Sequence, residues 1–175
     1  MKKVCAILLL LCPAAALTSG QQQPVYKAKK EKLPAAVAPQ PIAFSHKKHA
    51  SAEMGCLDCH VDALEDGRAG LPSVEECMAC HQSIKTDSPE IMKLAAIRRR
   101  NEKVNWVAVY RVPDFVFFSH ANHLQAGEEC VTCHGPVAQR EVLAKEISTN
   151  MTACMNCHAA RKVSNECYLC HQLGH

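Results

Sequence analysis

Five times in a chain of 175 residues, two cysteines stand three positions apart and a histidine directly follows the second. The sets are Cys56, Cys59 and His60; Cys77, Cys80 and His81; Cys130, Cys133 and His134; Cys154, Cys157 and His158; and Cys167, Cys170 and His171. On one helical turn, positions i, i+3 and i+4 share a face, so both thiols and the imidazole can meet a single planar group. That is the chemistry of c-type haem attachment, in which the thiols bond the porphyrin vinyls and the histidine ligates the iron. A lone CxxC would be ambiguous between zinc, a redox dithiol and accident. Structural zinc does not require the adjoining histidine, which here follows every pair. The expectation is five covalently attached haem c groups, with structural zinc or five disulfides as the lesser alternatives.

Two HxxH pairs, His46 with His49 and His120 with His123, lie upstream with no cysteine beside them and are candidates for sixth iron ligands. Phe44 to His60, FSHKKHASAEMGCLDCH, aligns without gaps on Phe118 to His134, FSHANHLQAGEECVTCH, at an offset of 74 residues. The chain therefore contains a duplication, with two attachment motifs in the first half and three in the second. Ten histidines for five haems permit full bis-histidine ligation: five proximal, four in the HxxH pairs, and His175. His175 stands four residues after His171 and can hardly reach the opposite face of that same haem. It could cross to another haem, and Met151, Met155, Tyr110 or an open site are the alternatives. Spacing does not decide which HxxH histidine serves which haem, because either has enough chain to reach.

The elements that must carry these groups are bounded by composition. Lys2 and Lys3, the apolar run Val4 to Leu17 and the small residues Thr18 to Gly20 read as a signal peptide over residues 1–20, too short in its apolar part to span a bilayer comfortably. Ten of the twelve cysteines are in CxxCH motifs, and Cys5 and Cys12 fall inside the leader, so the mature chain carries no spare thiol. This suits a periplasmic or otherwise extracytoplasmic compartment. The formal charge of +3 omits the cofactors. Loss of the leader lysines and addition of ten propionates, against one positive charge per ferric centre, bring the holoprotein to roughly −4 oxidised and −9 reduced. Nucleic acid is thereby excluded as a partner. Eight aromatic residues are few for a core, and haems would supply the missing apolar mass.

Residues 21–41, rich in Pro, Gln, Ala and Lys, read as a flexible tether whose lysines could touch an anionic membrane or partner. A dihaem unit follows over 42–87, a connector over 88–112 and a trihaem unit over 113–175. Gly67, Gly70 and Pro72 mark a turn, and Ser73 with Glu76 forms a capping box for a helix through His81. Ser88, Pro89 and Glu90 start an amphipathic helix to about Asn101. Its terminal Arg98, Arg99 and Arg100, with Lys103, read as charge favourable at a helix C-terminus, or as a contact for propionates or an acidic partner. Asn105 to Val112 reads as a short strand ended by Pro113. Phe115, Phe117 and Phe118 are expected on haem faces, and Glu141 to Ile147 suggests one more short helix, with a start at Pro136.

FSHxxH followed by closely spaced CxxCH motifs resembles the class III cytochromes c, over roughly residues 42–175. The resemblance implies a mostly irregular and α-helical multihaem fold with few short helices, little strand and haems for a core. It pairs His46 with His60, His49 with His81, His120 with His134, and His123 with His158. The run WVAVYRVPDFVFFSHANH, Trp106 to His123, is also similar to pentahaem subunits of membrane quinol-oxidising complexes, although a histidine often stands there in place of Tyr110. Bis-histidine iron is coordinatively saturated, so the expected function is electron relay through low-potential haems to redox protein partners, within or next to a quinol-linked chain, and not catalysis. Peripheral membrane association fits such a place. The rival is a multihaem reductase with one open-coordination haem, and the chain lacks the CxxCK variant of pentahaem nitrite reductases. A redox sensor is a weaker third reading, since the chain has no output domain.

Overall fold

The computed structural model describes residues 33, 37, 39–65 and 67–171; the leader, most of the tether and His175 lie outside the described residues. Among the described residues there are six short helices: α1 (His46–Ala50), α2 (Val74–His81), α3 (Pro89–Arg99), α4 (His120–Gln125), α5 (Cys130–His134) and α6 (Met151–Arg161). Four 3₁₀ turns join them, at Cys56–Asp58, Val61–Leu64, Val137–Gln139 and Cys167–Leu169. No strand forms among the described residues, and an isolated bridge pairs Val116 with His171.

Local chemistry accounts for the helix starts. Ser45 and Ser119, at equivalent positions of the two repeats, hold extended backbone and accept from Lys48 N and Asn122 N. Ser73 and Glu76 form the reciprocal capping box of α2, and Asn150 caps α6 by accepting from Ala153 N at 2.9 Å. Pro89 opens α3, which stops at Arg99; Asn101 then turns left-handed at φ +53°, a conformation asparagine tolerates.

Two expected elements are absent. Residues 105–112 form no strand and bend at Val109 and Tyr110, and the Gln40 side-chain amide takes the place of a partner strand at Val107: it donates to Val107 O at 2.9 Å and accepts from Val107 N at 3.0 Å. Nor is Glu141 to Ile147 a helix. Pro136 instead precedes the 3₁₀ turn Val137–Gln139, and the following loop is closed by the Arg140–Glu146 ion pair, with the Glu146 and Ile147 amides donating to the Tyr110 hydroxyl. Backbone donors already used by a side-chain oxygen cannot enter an i→i−4 ladder.

The apolar core is small. Ile42, Val74, Met78 and Leu94 are buried together where α2 meets α3, with Ala95, Ile97, Val104 and Trp106 packed around them. Arg98 reaches across to Glu75 at 2.6 Å on the outside of this contact, and Arg100 pairs with Glu102, so two of the three terminal arginines are engaged in surface ion pairs.

The duplicated halves exchange partners. α1 of the first packs on the Val137–Gln139 turn of the second, and α4 of the second on the Val61–Leu64 turn of the first. Lys47 N donates to Arg140 O at 3.0 Å, and Ser45 Oγ donates to Glu141 at 2.7 Å. Gly67 permits the closest approach, since a Cβ there would lie 2.7 Å from Phe118 O.

Candidate haem-binding sites

Each CxxCH set occupies a single turn. Three sets lie in α2, α5 and α6. The other two begin in 3₁₀ turns and close with a helical bond, from His60 N to Cys56 O and from His171 N to Cys167 O, both at 2.9 Å. All ten of these cysteines are free thiols. Desolvation pushes the Cys59, Cys77, Cys130, Cys133 and Cys154 thiols above their ordinary range, with neighbouring thiols or carboxylates adding to it. Among the described residues, no group of three or more His, Cys, Asp or Glu side chains converges as a zinc cage would require.

The HxxH histidines face the proximal ones. Ring centres are 6.1 Å apart for His49 and His81, 6.3 Å for His120 and His134, and 6.1 Å for His123 and His158. Two imidazoles sharing one metal ion at about 2.0–2.1 Å per nitrogen, each ring centre roughly 1.1 Å further back, stand about 6.2 Å apart. His46 is lowered in pKa by burial, then by His60 and His49. His134 is lowered by burial, then by His120 and His60. The three ring contacts join histidines that the class III resemblance pairs.

The ring nitrogens are oriented as ligands. A carbonyl oxygen can only accept, so a Nδ1 that bonds one carries the proton and leaves the Nε2 lone pair for a metal. His60 Nδ1 donates to Gly70 O at 2.9 Å, His81 to Ile84 O at 3.0 Å, His120 to Gly67 O at 2.8 Å and His158 to Ser164 O at 3.1 Å. His49 and His123 donate in the same way to Ser45 O and Ser119 O, at 2.8 and 2.7 Å. His171 makes a longer contact, 3.4 Å, to Phe115 O. Gly70, with φ +69°, turns its carbonyl toward His60 in a conformation that favours glycine. These carbonyls were not identifiable as site groups in the sequence, although the glycine cluster after the first motif marked where two of them fall.

The aromatic residues divide. Phe44 stacks on His49 at 4.4 Å and meets His46 edge-on at 4.8 Å; Phe118 repeats this with His123 at 4.7 Å and His120 at 4.7 Å. Phe115 and Phe117 are instead 69% and 56% exposed, so they pack little against protein. Exposed apolar side chains also lie within or beside the attachment turns, including Leu57, Val61, Val131, Tyr168 and Leu169. A porphyrin bonded to each turn fits such a lining.

Tyr110 has its hydroxyl fully used. It donates to His134 O at 3.2 Å and accepts from Glu146 N at 3.0 Å and Ile147 N at 3.3 Å, while its ring meets His134 edge-on at 4.6 Å. It braces His134 through its ring and hydroxyl. The last motif differs from the others: among the described residues, no ring contact joins His171 to a second histidine, and its aromatic neighbour is Phe115, at 5.8 Å.

Short helices without strand, repeated attachment turns and facing imidazoles define a multihaem c-type cytochrome. The chain belongs to the class III cytochrome c family, which matches residues 21–108, while residues 116–172 match cytochrome c7 and related cytochrome c. It is 34% identical to the multiheme cytochrome c subunit of menaquinone reductase from Nitratidesulfovibrio vulgaris Hildenborough, over 76% of this chain and 77% of that protein. Membership of this electron-transfer family implies covalently bound haem c.

Proposed function

We propose that this chain is an extracytoplasmic pentahaem cytochrome that relays electrons within or beside a quinone-linked respiratory complex. The observation that carries the reading is the three pairs of facing imidazoles at 6.1–6.3 Å between ring centres, five of whose six members commit the Nδ1 proton to a carbonyl. Haem, when bound, supplies one-electron exchange at iron. The chain's own part would be to hold two imidazole nitrogens on four of the irons, which leaves those four no position for substrate, and to shield the histidine rings with Phe44 and Phe118. His46 would serve with His60, His49 with His81, His120 with His134 and His123 with His158. The leader-like start and the absence of spare cysteines support export. The similarity to a menaquinone reductase subunit supports a quinone-linked complex as partner.

Intact mass of the purified holoprotein tests the count. Five haem additions on a chain beginning near Gln21 are expected, and fewer additions, or zinc in place of iron, would refute the assignment. A second reading, a reductase with one open haem, draws on the unmatched His171. His175, outside the described residues, is the first candidate to complete the ligand set on another haem. Removing it is expected to create a high-spin signal and carbon monoxide binding. A wild-type protein that already binds carbon monoxide would favour the reductase.

A further inference from the structure

The chain's halves interlock, and this changes which motifs are neighbours. Because α1 seats on the second half and α4 on the first, equivalent groups meet across the junction. His120 of the second half donates to Gly67 O of the first, and Lys47 N of the first donates to Arg140 O of the second. The thiols of Cys56 and Cys130, equivalent by the 74-residue offset, lie within hydrogen-bonding reach; after desolvation, Cys56 is the main influence raising Cys130. The turn Val61–Leu64, directly after His60, packs on α4, whose His120 faces His134 at 6.3 Å between ring centres.

Outward from this junction the neighbours are asymmetric in sequence. In the first half, α1 carries both His46 and His49, and His49 faces His81 at 6.1 Å between ring centres. α2, which holds Cys77, Cys80 and His81, packs chiefly on α3 and makes no comparable contact with the second half among the described residues. In the second half, α4 carries His120 and His123, which face His134 and His158 at 6.3 and 6.1 Å between ring centres. Phe117 N donates to Cys170 O at 2.8 Å, tying the last motif to the segment before α4.

We propose that the five attachment motifs are ordered in space as Cys77–His81, Cys56–His60, Cys130–His134, Cys154–His158 and Cys167–His171. The first two are exchanged relative to chain order. The motifs at Cys56 and Cys130 then form the internal junction between the halves. Those at Cys77 and Cys167 are the two termini, where partner proteins would meet the array. This rests on the five-haem reading above and adds a statement that the reading does not contain, since chain order would set the Cys77 motif against the Cys130 motif.

The test is two-dimensional nuclear Overhauser spectroscopy of the fully reduced holoprotein, in which low-spin ferrous haem is diamagnetic and each haem is assigned through its own cysteine and histidine protons. Contacts are expected between the haems of Cys56/Cys59 and Cys130/Cys133, and between those of Cys77/Cys80 and Cys56/Cys59. A contact between the haems of Cys77/Cys80 and Cys130/Cys133, with none between Cys56/Cys59 and Cys130/Cys133, overturns the order and leaves the relay reading intact. A mass corresponding to fewer than five haems overturns the reading on which the order depends.

Discussion

Gly67→Ala should destabilise the junction between the halves, although its backbone conformation alone would favour alanine. Gly67 does not adopt positive φ, so replacing it with alanine would by itself stabilise by about 0.4–1 kcal/mol through the unfolded chain. Against this, the new Cβ would lie 2.7 Å from Phe118 O, a backbone atom that cannot rotate away. Overpacking of this kind costs about 1–3 kcal/mol. The Gly67 carbonyl also accepts from His120 at 2.8 Å, so a shift that relieves the clash weakens a bond worth about 0.5–1.5 kcal/mol. The clash and the lost bond outweigh the entropic gain, and a net loss of about 1–3 kcal/mol lowers the melting temperature by roughly 2–12 °C at this chain length. Thermal unfolding of the holoprotein followed by circular dichroism measures it. Gly55→Ala is the control, since the nearest atom to its Cβ is a side-chain oxygen at 3.7 Å. Equal melting temperatures for the two variants would refute the argument that Gly67 sets the distance between the halves.

Tyr110→Phe removes three hydrogen bonds at the edge of the His134 site and should cost about 1–2 kcal/mol while every haem stays low-spin; carbon monoxide binding by the variant would instead make Tyr110 a ligand. His123→Met should raise the reduction potential of the haem bound by Cys154 and Cys157, because thioether ligation favours ferrous iron more than imidazole does. Should redox titration place the shift on the haem of Cys130 and Cys133, the pairing of His123 with His158 is wrong. Bonds from the Ser73 backbone, and then its side chain, hold the Glu76 carboxyl below its usual range, so its support for α2 is present above the ordinary carboxyl pKa and is lost as pH falls through the depressed value. The stability difference between wild type and Glu76→Gln should therefore shrink in acid, and a difference that stays constant from neutral to acidic pH would contradict this.

The cofactor chemistry and the helix starts were legible in the sequence because both depend on near neighbours. Cys130, Cys133 and His134 share a face through helical spacing alone, and Ser73 caps α2 with a residue three positions away. The duplication was equally visible, and with it the equivalence of Phe44 and Phe118, whose ring contacts with their histidines recur almost unchanged. Residues 105–112 had the composition of a strand, but a strand needs a partner, and its valences at Val107 go to the distant Gln40 side chain. Glu141 to Ile147 failed as a helix for a related reason, since Tyr110, more than 30 positions earlier, takes two of its amides.

What the sequence determined by itself is the inventory of donors: ten thiols paired for attachment, five imidazoles placed beside them, and four more on two repeated turns. Spacing limits how far a histidine can reach but not the direction in which it points, so only the tertiary structure could bring His49 to His81 and His123 to His158. The same holds for the carbonyls that orient the rings, since Gly67 and His120 are 53 residues apart. The junction of Cys56 with Cys130 likewise arises because each half packs on a turn of the other, a choice made by long-range contacts that no local pattern records.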